Sequence, residues 1–334
     1  MDVSTTRTPI GPEAGEPLVR VEGLSRKFGK KSWRPGASNY FYAVKNVDLT
    51  IARGEAVGIV GESGCGKSTL GRMILRLLRP TGGRIVFAGK DISTLAEKEL
   101  RPLRKRMQMI FQDPFGSLDP KRRIGDQIAD ALKVHRMMDA AQCANRVNEL
   151  LTQVGLSPEH AARRPHEFSG GQRQRIAIAR ALAPNPDFIV ADEPIAALDV
   201  SIQAQVVNLL ADLREKMGLS LLFISHDLHV VRHLCDRIVV MYLGRVVEQG
   251  TAEQVFGAPR HPYTRVLLQA SPSLKSSEEI KSLKGEIPSP VNPPSGCGFR
   301  TRCPMAIPAC AEREPPLVGD AQGHSVACIR AADF

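Results

Sequence analysis

The sequence of 334 residues predicts an α/β fold, and two kinds of segment support this prediction. Continuous apolar runs at 56–60, 188–191 and 221–224 are typical of parallel strands that helices cover on both faces. Segments 18–24 and 44–51 alternate apolar and polar residues, as strands with one buried face do. We therefore expect a parallel sheet beside a second, half-buried set of strands.

Turn and helix signals predict two further subdomains beside the parallel sheet. Runs 84–87 and 238–242 each lead into a glycine-bearing turn, which is typical of β-hairpins and indicates an antiparallel β subdomain. Segments 126–154 and 171–182 have the spacing of amphipathic helices. They predict a helical subdomain, at about 96–182, inserted in the α/β core.

Composition shifts along the chain predict its domain organisation. Residues 1–17 hold Thr, Pro, Gly and Glu without an apolar pattern and are interpreted as a flexible tail. The catalytic core is expected at 18–257 and a C-terminal extension at 258–334. Within the extension, 271–295 is rich in Ser, Pro, Lys and Glu and is interpreted as a linker or wrapping segment, and a separate module is expected from about residue 296.

Hydropathy excludes two classes of protein, and the cysteine count and net charge indicate what kinds of ligand to consider. No stretch approaches the roughly 18 consecutive apolar residues that a spanning helix needs, and the N-terminus lacks a signal-peptide core, so we expect a cytoplasmic protein. Seven cysteines are an odd number for a disulfide framework, so clustered cysteines are considered first as metal ligands. The net charge of +10 is compatible with nucleic acid, an anionic membrane face or a nucleotide.

Residues 61–68 match the phosphate-loop pattern G-x-x-x-x-G-K-[ST], between a predicted strand and an apolar helix. Backbone N–H groups of such a loop and the following helix N-terminus converge on phosphate oxygens. Lys67 is expected on the β- and γ-phosphates and Ser68 on Mg²⁺, while Cys65 is interpreted as a small residue that fits the loop. The predicted ATP-binding residues here are Gly61, Ser63, Gly64, Cys65, Gly66, Lys67, Ser68 and Thr69.

The apolar strand at 188–191 ends in two carboxylates. Beside a phosphate loop, Asp192 is expected to hold Mg²⁺ through water. Glu193 is expected to polarise the water that attacks the γ-phosphate.

Phe168-Ser169-Gly170-Gly171-Gln172 opens a helix twenty residues before Asp192, and with the preceding motifs it resembles the ATP-binding cassette of ABC transporters. The resemblance covers about 18–257 and implies a P-loop NTPase core. It also implies a head-to-tail dimer, in which the signature of one cassette closes over ATP on the other. The implied cross-dimer nucleotide contacts are Ser169, Gly170, Gly171, Gln172 and Asp199.

The same resemblance assigns three further roles. Gln112 is similar to the glutamine that senses Mg²⁺ and the attacking water, and His226 to the histidine that contacts the γ-phosphate, so Gln112, Lys67, Glu193 and His226 form the implied catalytic set. Phe28 is similar to the aromatic residue that stacks on adenine, with Tyr40, Phe41 and Tyr42 as rivals. Ala196 stands where the family usually has Ser, so one cross-dimer hydrogen bond of about 1 kcal/mol is expected to be missing.

A narrower resemblance includes the C-terminal extension. Segments 112–120, 199–205, 261–264 and 287–290 are similar to the second, F-type ATPase subunit of oligopeptide, dipeptide and nickel importers. This implies a paralogous ATPase partner, two transmembrane permeases and an extracytoplasmic solute-binding protein. The implied location is peripheral, on the cytoplasmic face of the inner membrane. Dipeptides, longer peptides, glutathione and nickel all remain candidate solutes.

Four cysteines in a Pro- and Gly-rich tail form a C-x5-C-x6-C-x17-C pattern: Cys297, Cys303, Cys310 and Cys328. The spacing matches neither common zinc ribbons nor the usual ferredoxin run, so the residues leave the metal open. The subgroup resemblance implies a [4Fe-4S] cluster, with zinc or no metal as alternatives. His324 is interpreted as exposed or as a reserve ligand, and Cys143 and Cys235 as buried small hydrophobes.

Two other functions compete with transport. A soluble cassette ATPase acting on nucleic acid is disfavoured, because residues 277–334 hold six Lys+Arg against seven Asp+Glu and make a poor phosphate-binding patch. We therefore expect no nucleic-acid partner. A non-ATPase regulatory subunit is disfavoured by the intact catalytic set.

Overall fold

The computed structural model describes residues 15–29, 40–270 and 285–333. Most of the predicted tail, much of the 30–42 insert that carries the rival aromatic residues, and segment 271–284 of the predicted linker lie outside these ranges. The strands are β1 (Val19–Phe28), β2 (Phe41–Ile51), β3 (Ala56–Val60), β4 (Gly82–Phe87), β5 (Lys90–Asp91), β6 (Met107–Ile110), β7 (Phe188–Asp192), β8 (Ser220–Ile224), β9 (Arg237–Tyr242), β10 (Arg245–Thr251), β11 (Val318–Gly319) and β12 (Ser325–Val326).

The helices alternate with these strands, as an α/β fold requires. They are α1 (Lys67–Ile74), α2 (Glu97–Arg104), α3 (Pro114–Ser117), α4 (Ile124–Val134), α5 (Ala140–Gln153), α6 (Gly170–Leu182), α7 (Val200–Met217), α8 (Leu228–Leu234), α9 (Ala252–Gly257) and α10 (Pro262–Gln269). None of the helices in the described ranges combines the length and the apolar character that a membrane crossing requires.

The larger sheet of the described chain has the strand order β11-β12-β10-β9-β3-β8-β7-β6. Strands β9, β3, β8, β7 and β6 are parallel, and both faces of these strands are buried. Ile189 and Phe223 pack in the cluster under α4–α8, whereas Val190 and Leu222 pack against α1 and the smaller sheet. The continuous apolar runs are explained by this two-sided burial, and the predicted parallel sheet is confirmed.

The smaller sheet is antiparallel, with the strand order β2-β1-β4-β5. Both predicted hairpins are present, one joining β4 to β5 and one joining β9 to β10. Their turns hold Ala88 and Leu243 in the left-handed region, each followed by a glycine with positive φ. This pair of conformations is the one that two-residue hairpin loops favour.

Two sequence-based boundaries need correction. The interval 96–182 contains β6, which pairs with β7 and belongs to the larger sheet, so the helices between these two strands span only 114–182. Within the C-terminal extension, a separate module was expected from about residue 296. Instead, β12 pairs with β10 and extends the larger sheet, and Phe299 is 1% exposed in the main core.

Candidate functional site

The phosphate loop joins the end of β3 to the start of α1, as predicted. Gly61 has φ of +149°, and a Cβ there would lie 2.2 Å from the carbonyl oxygen of Met241. Gly66 has φ of +105°, and its Cβ would meet the carbonyl oxygen of Ala43 at 2.1 Å. Both positions therefore require glycine, for close backbone approach as well as for φ.

Lys67 occupies the centre of this loop with 4% of its surface exposed. Its Nζ donates hydrogen bonds to the carbonyl oxygens of Gly61 (2.8 Å) and Glu62 (3.1 Å). Both are neutral acceptors, so the ammonium charge has no carboxylate partner in these contacts. The arrangement is suited to an anionic ligand, because phosphate oxygens make stronger, charge-assisted bonds to this group.

A cavity opens above the loop and contains most of the predicted nucleotide-binding residues. Its lining includes Phe28, Phe41, Tyr42, Glu62, Ser63, Gly64, Cys65, Gly66, Lys67, Ser68, Thr69, Gln112 and Glu193. Cys65 is 5% exposed, and burial raises the pKa of its thiol. The interpretation of Cys65 as a packed small residue agrees with this geometry.

The three predicted γ-phosphate residues converge at the edge of this cavity. Gln112 Nε2 donates a hydrogen bond to Glu193 Oε2 at 3.2 Å, and His226 Nδ1 lies 3.5 Å from the same oxygen. Each residue follows the carboxyl end of a different parallel strand: β6, β7 and β8. Because these strands are neighbours and β3 adjoins β8, their carboxyl ends form one edge, where ligands bind in open α/β sheets.

Glu193 adopts an unusual backbone conformation, with φ of +45°. Its N–H donates to the carbonyl oxygen of Ile224 at 2.9 Å, which fixes the turn against β8. A non-glycine residue in the left-handed region costs about 1–3 kcal/mol and is found mainly at functional sites. The strain directs the carboxylate towards Gln112 and His226.

Asp192 and Ser68 form an oxygen-rich position beside the phosphate loop. Ser68 Oγ donates to Asp192 Oδ1 at 2.6 Å. Asp192 is fully buried, and its Oδ2 accepts no hydrogen bond from the part of the chain that the structure describes. The Arg72 guanidinium lies 3.6 Å from this oxygen. Burial raises the pKa of Asp192. A hydroxyl beside a carboxylate with an unpartnered oxygen fits Mg²⁺, which prefers oxygen ligands.

Two of the competing aromatic residues lie together with Phe28. The rings of Phe28 and Phe41 stack with centroids 5.9 Å apart, and both line the cavity, as does Tyr42. Tyr40 does not line it and instead contacts the Lys27 ammonium. The adenine-stacking role of Phe28 therefore stays a prediction, with Phe41 and Tyr42 as the remaining rivals.

The predicted signature lies away from the chain's own phosphate loop. Ser169 is the N-cap of α6 and accepts a hydrogen bond from the Gln172 N–H at 3.3 Å. Gly170 packs beside Leu198, next to the exposed Asp199. The two predicted cross-dimer segments therefore lie side by side. Neither of them lines the chain's own nucleotide cavity.

Sequence reasoning missed part of the cavity. Ile287, Pro288, Ser289 and Pro290 line it, although they were interpreted only as part of a linker or wrapping segment and as a motif shared with importer subunits. These residues have no periodicity and few polar groups, so no local signal identified them as part of a site. Their Pro-rich character was the only indication of an extended segment that can lie along a surface.

The four C-terminal cysteines line one small cavity, together with Arg300, Arg313 and Arg330. Burial raises the pKa of Cys297, Cys303 and Cys328. Within the described ranges, no three His, Cys, Asp or Glu side chains come close enough to hold a single metal ion. Cys143 and Cys235 lie outside this cavity and are buried, as expected.

His324 is not exposed, contrary to expectation. It is 2% exposed, and its Nε2 lies 2.8 Å from Oε1 of the buried Glu248. A carboxylate on the facing strand β10 thus provides the histidine with a partner, which the sequence could not indicate.

Comparison with protein families places two matches on this chain. Residues 44–196 match a family described as ABC transporter. Residues 247–310 match the oligopeptide/dipeptide transporter C-terminal region. The two matches together cover the phosphate loop, the signature and three of the four clustered cysteines.

Several curated proteins are similar over nearly the whole chain. A Brucella ovis ATP-binding protein named for peptide import is 54% identical over 316 residues, which are 94% of this chain and 98% of that protein. The oligopeptide transport ATP-binding protein OppF of Escherichia coli is 51% identical over 95% of this chain and 97% of its own. AppF of Bacillus subtilis, with the same description, is 53% identical over 86% and 88%.

Solved structures share the fold of the core. The dimer of an ATP-binding cassette bound to ADP and phosphate matches with a TM-score of 0.63 and 32% identity, over 70% of this chain and 99% of that one. The cbiO1 subunit of an ABC transporter complex from Clostridium perfringens matches with a TM-score of 0.62 and 30% identity, over 73% and 92%.

Proposed function

Because this chain belongs to the ABC transporter family of ATP-binding proteins, we propose that it hydrolyses ATP to power the import of peptides through a membrane permease. The convergence of Gln112, Glu193 and His226 at the edge of the phosphate-loop cavity carries this proposal. Relatives named for peptide or oligopeptide transport over nearly the full chain support the choice of solute class.

The residues suggest how hydrolysis proceeds. Glu193 accepts a proton from the attacking water, which Gln112 holds in line, while Lys67 and His226 stabilise negative charge on the transferring phosphoryl group. Ser68 and Asp192 would hold Mg²⁺, which supplies charge neutralisation on the phosphates. A nucleic-acid function is not favoured, because the relatives are transport proteins and the C-terminal region carries little positive charge.

The catalytic unit is proposed to be a head-to-tail dimer with a paralogous ATPase. Support comes from the position of the signature, which does not line the chain's own cavity but offers the N-terminus of the 13-residue α6. A cassette of this kind further implies two permeases and an extracytoplasmic solute-binding protein. Its proposed location is peripheral, on the cytoplasmic face of the membrane.

A charge placed in the signature tests the dimer. We expect Gly170→Asp to fold normally, because a Cβ at this position meets only Leu198, at 3.7 Å. The new carboxylate would face the partner's ATP, and like-charge repulsion of several kcal/mol would lower ATP turnover at least about 100-fold. Gly257→Asp is the matched control for steady-state hydrolysis by the complex, because an added Cβ there meets no described atom within 4 Å beyond its chain neighbours and its own helix. Normal turnover with Gly170→Asp would contradict the shared site.

For the C-terminal cysteines, we propose a [4Fe-4S] cluster held by Cys297, Cys303, Cys310 and Cys328. All four thiols line one cavity, and four cysteines are the usual ligand set of such a cluster. Zinc, which also takes four thiolates in structural sites, and a segment without metal are the alternatives. The cluster is proposed to be structural, stabilising a segment with little core of its own.

Iron content tests the cluster directly. Anaerobically prepared protein should be brown with about four irons per chain, and Cys303→Ser should remove the colour because one ligand is lost. Cys143→Ser, in the buried core of α5, should keep both iron and colour. A colourless wild-type sample containing zinc would contradict the cluster.

Solute uptake tests the transport function. Cells whose own copy is replaced by wild type or by Glu193→Gln are given labelled dipeptide, a longer peptide, glutathione or Ni²⁺. The variant should lose uptake of at least one peptide class and keep Ni²⁺ uptake. Loss confined to glutathione or Ni²⁺, or normal uptake of all four with the variant expressed, would contradict peptide import.

A further inference from the structure

A buried ion pair connects the cysteine-bearing segment to the phosphate loop. Arg302 Nη1 donates to Glu62 Oε2 at 2.6 Å, and Nη2 donates to Oε1 at 2.8 Å. The Arg302 side chain is 4% exposed and that of Glu62 is 20% exposed. These residues are 240 positions apart in the chain, and paired hydrogen bonds of this geometry are among the stronger ones in proteins.

Glu62 is the second residue of the phosphate loop and lines the nucleotide cavity. Its N–H donates to Tyr263 Oη at 2.8 Å, and its carbonyl oxygen accepts from Lys67 Nζ at 3.1 Å. The backbone of Glu62 is thus held by α10 on one side and by the phosphate-binding lysine on the other. Its carboxylate is the negative charge in the loop itself, next to the place where a triphosphate binds.

Arg302 neutralises this charge and fixes its direction. The guanidinium also donates to Tyr242 Oη at 3.4 Å, so it is held from the side of β9 as well. The hydrogen bonds that Arg302 donates to the Glu62 carboxylate raise the pKa of Arg302, which therefore stays charged. Without Arg302, the Glu62 carboxylate would be released into the cavity and would repel the phosphates.

We propose that Arg302 is a positioning residue for ATP binding, which acts by holding the Glu62 carboxylate away from the bound phosphates. The proposal rests on the ATPase function proposed above and adds a determinant of nucleotide affinity that lies outside the cassette motifs. It assigns to the C-terminal extension a direct part in forming the nucleotide site.

Arg302 lies in a turn that begins and ends at clustered cysteines, Cys297 and Cys303. Arg302 directly precedes Cys303, and its N–H donates to the carbonyl oxygen of Phe299 at 2.9 Å. The ring centroid of Phe299 lies 5.3 Å from the ring centroid of Tyr242 and 5.3 Å from that of Tyr263. At the start of the same turn, the Cys297 N–H donates to the Cys310 carbonyl oxygen at 2.8 Å. The turn 297–303 therefore joins the thiol cavity to the phosphate loop.

Charge removal tests the role of Arg302 in the full-length complex. Arg302→Met should weaken ATP binding at least about tenfold, raising KM for ATP while kcat at saturating ATP stays unchanged. Arg300→Met is the matched control, because Arg300 also lines the thiol cavity but its guanidinium donates to the carbonyl and hydroxyl oxygens of Ser295, within the extension. It should leave ATP affinity and KM unchanged.

The double variant Arg302→Met/Glu62→Gln separates charge neutralisation from a structural role. With both charges absent, no carboxylate repels the phosphates and no buried charge lacks a partner, so affinity should return to within about threefold of wild type. This variant also serves if Arg302→Met alone does not fold. Unchanged affinity in Arg302→Met, or weak binding in a folded double variant, would overturn the proposal. Wild-type protein that neither binds nor hydrolyses ATP would instead refute the proposed ATPase function.

Discussion

Replacing Glu193 by Gln is expected to lower ATP turnover by about 10²–10⁴-fold, the usual contribution of a positioned general base. Glutamine keeps the shape of the side chain, and its amide can still contact Gln112 and His226, which lie 3.2 Å and 3.5 Å from the carboxylate in the wild type. It cannot accept a proton from water. Mg–ATP binding should therefore persist, and the closed dimer should accumulate because the step that reopens it is blocked.

Phosphate release measures the loss of ATP turnover, and nucleotide retention measures the accumulation of the closed dimer. Glu215→Gln, on the exposed face of α7, removes the same charge outside the cavity and should hydrolyse ATP normally. If Glu193→Gln keeps more than about a tenth of wild-type turnover, Glu193 is not the general base.

Lys67→Ala is expected to abolish useful ATP binding, with affinity reduced by about 100-fold or more. Lys67 is 4% exposed, and the contacts of its ammonium to the Gly61 and Glu62 carbonyl oxygens place it within the phosphate loop. Its removal deletes charge-assisted bonds to the phosphates, each of which contributes about 1.5–3 kcal/mol. It also removes the hydrogen bond to the Gly61 carbonyl oxygen, whereas the Glu62 carbonyl oxygen keeps the Cys65 N–H at 3.3 Å.

Equilibrium titration with a fluorescent ATP analogue measures this loss. Lys98→Ala, on the exposed surface of α2, is the matched control and should bind as wild type does. Binding by Lys67→Ala within threefold of wild type would show that the loop does not hold the phosphates through this lysine.

The sequence predicted the core because each functional segment there carries its own local signal. The run at 188–191 has to be apolar since both faces of β7 are buried, and the two carboxylates follow where the strand reaches the sheet edge. Gly61 and Gly66 are dictated by backbone approach. The glycine pattern is recognisable in the sequence alone, although the carbonyl groups that require it, those of Met241 and Ala43, come from other parts of the chain.

Features that depend on distant pairing could not be predicted. Arg302 is one of many basic residues until the fold places it against Glu62, and His324 resembles a surface residue until Glu248 faces it. The short strand β12 has no periodicity and exists because the edge of β10 is available. For the same reason, segment 287–290 showed no sign of lining the nucleotide cavity.

Peptide accumulation in proteoliposomes is the most direct test of ATP-driven peptide import. The assembled complex would contain wild-type protein or Glu193→Gln, with Mg–ATP on the side of the ATPase and labelled peptide with its binding protein on the other. We expect peptide to accumulate on the ATP side with wild type, and we expect both accumulation and phosphate release to be lost with the variant. Equal accumulation with the two proteins, or wild-type hydrolysis that moves no peptide, would contradict it.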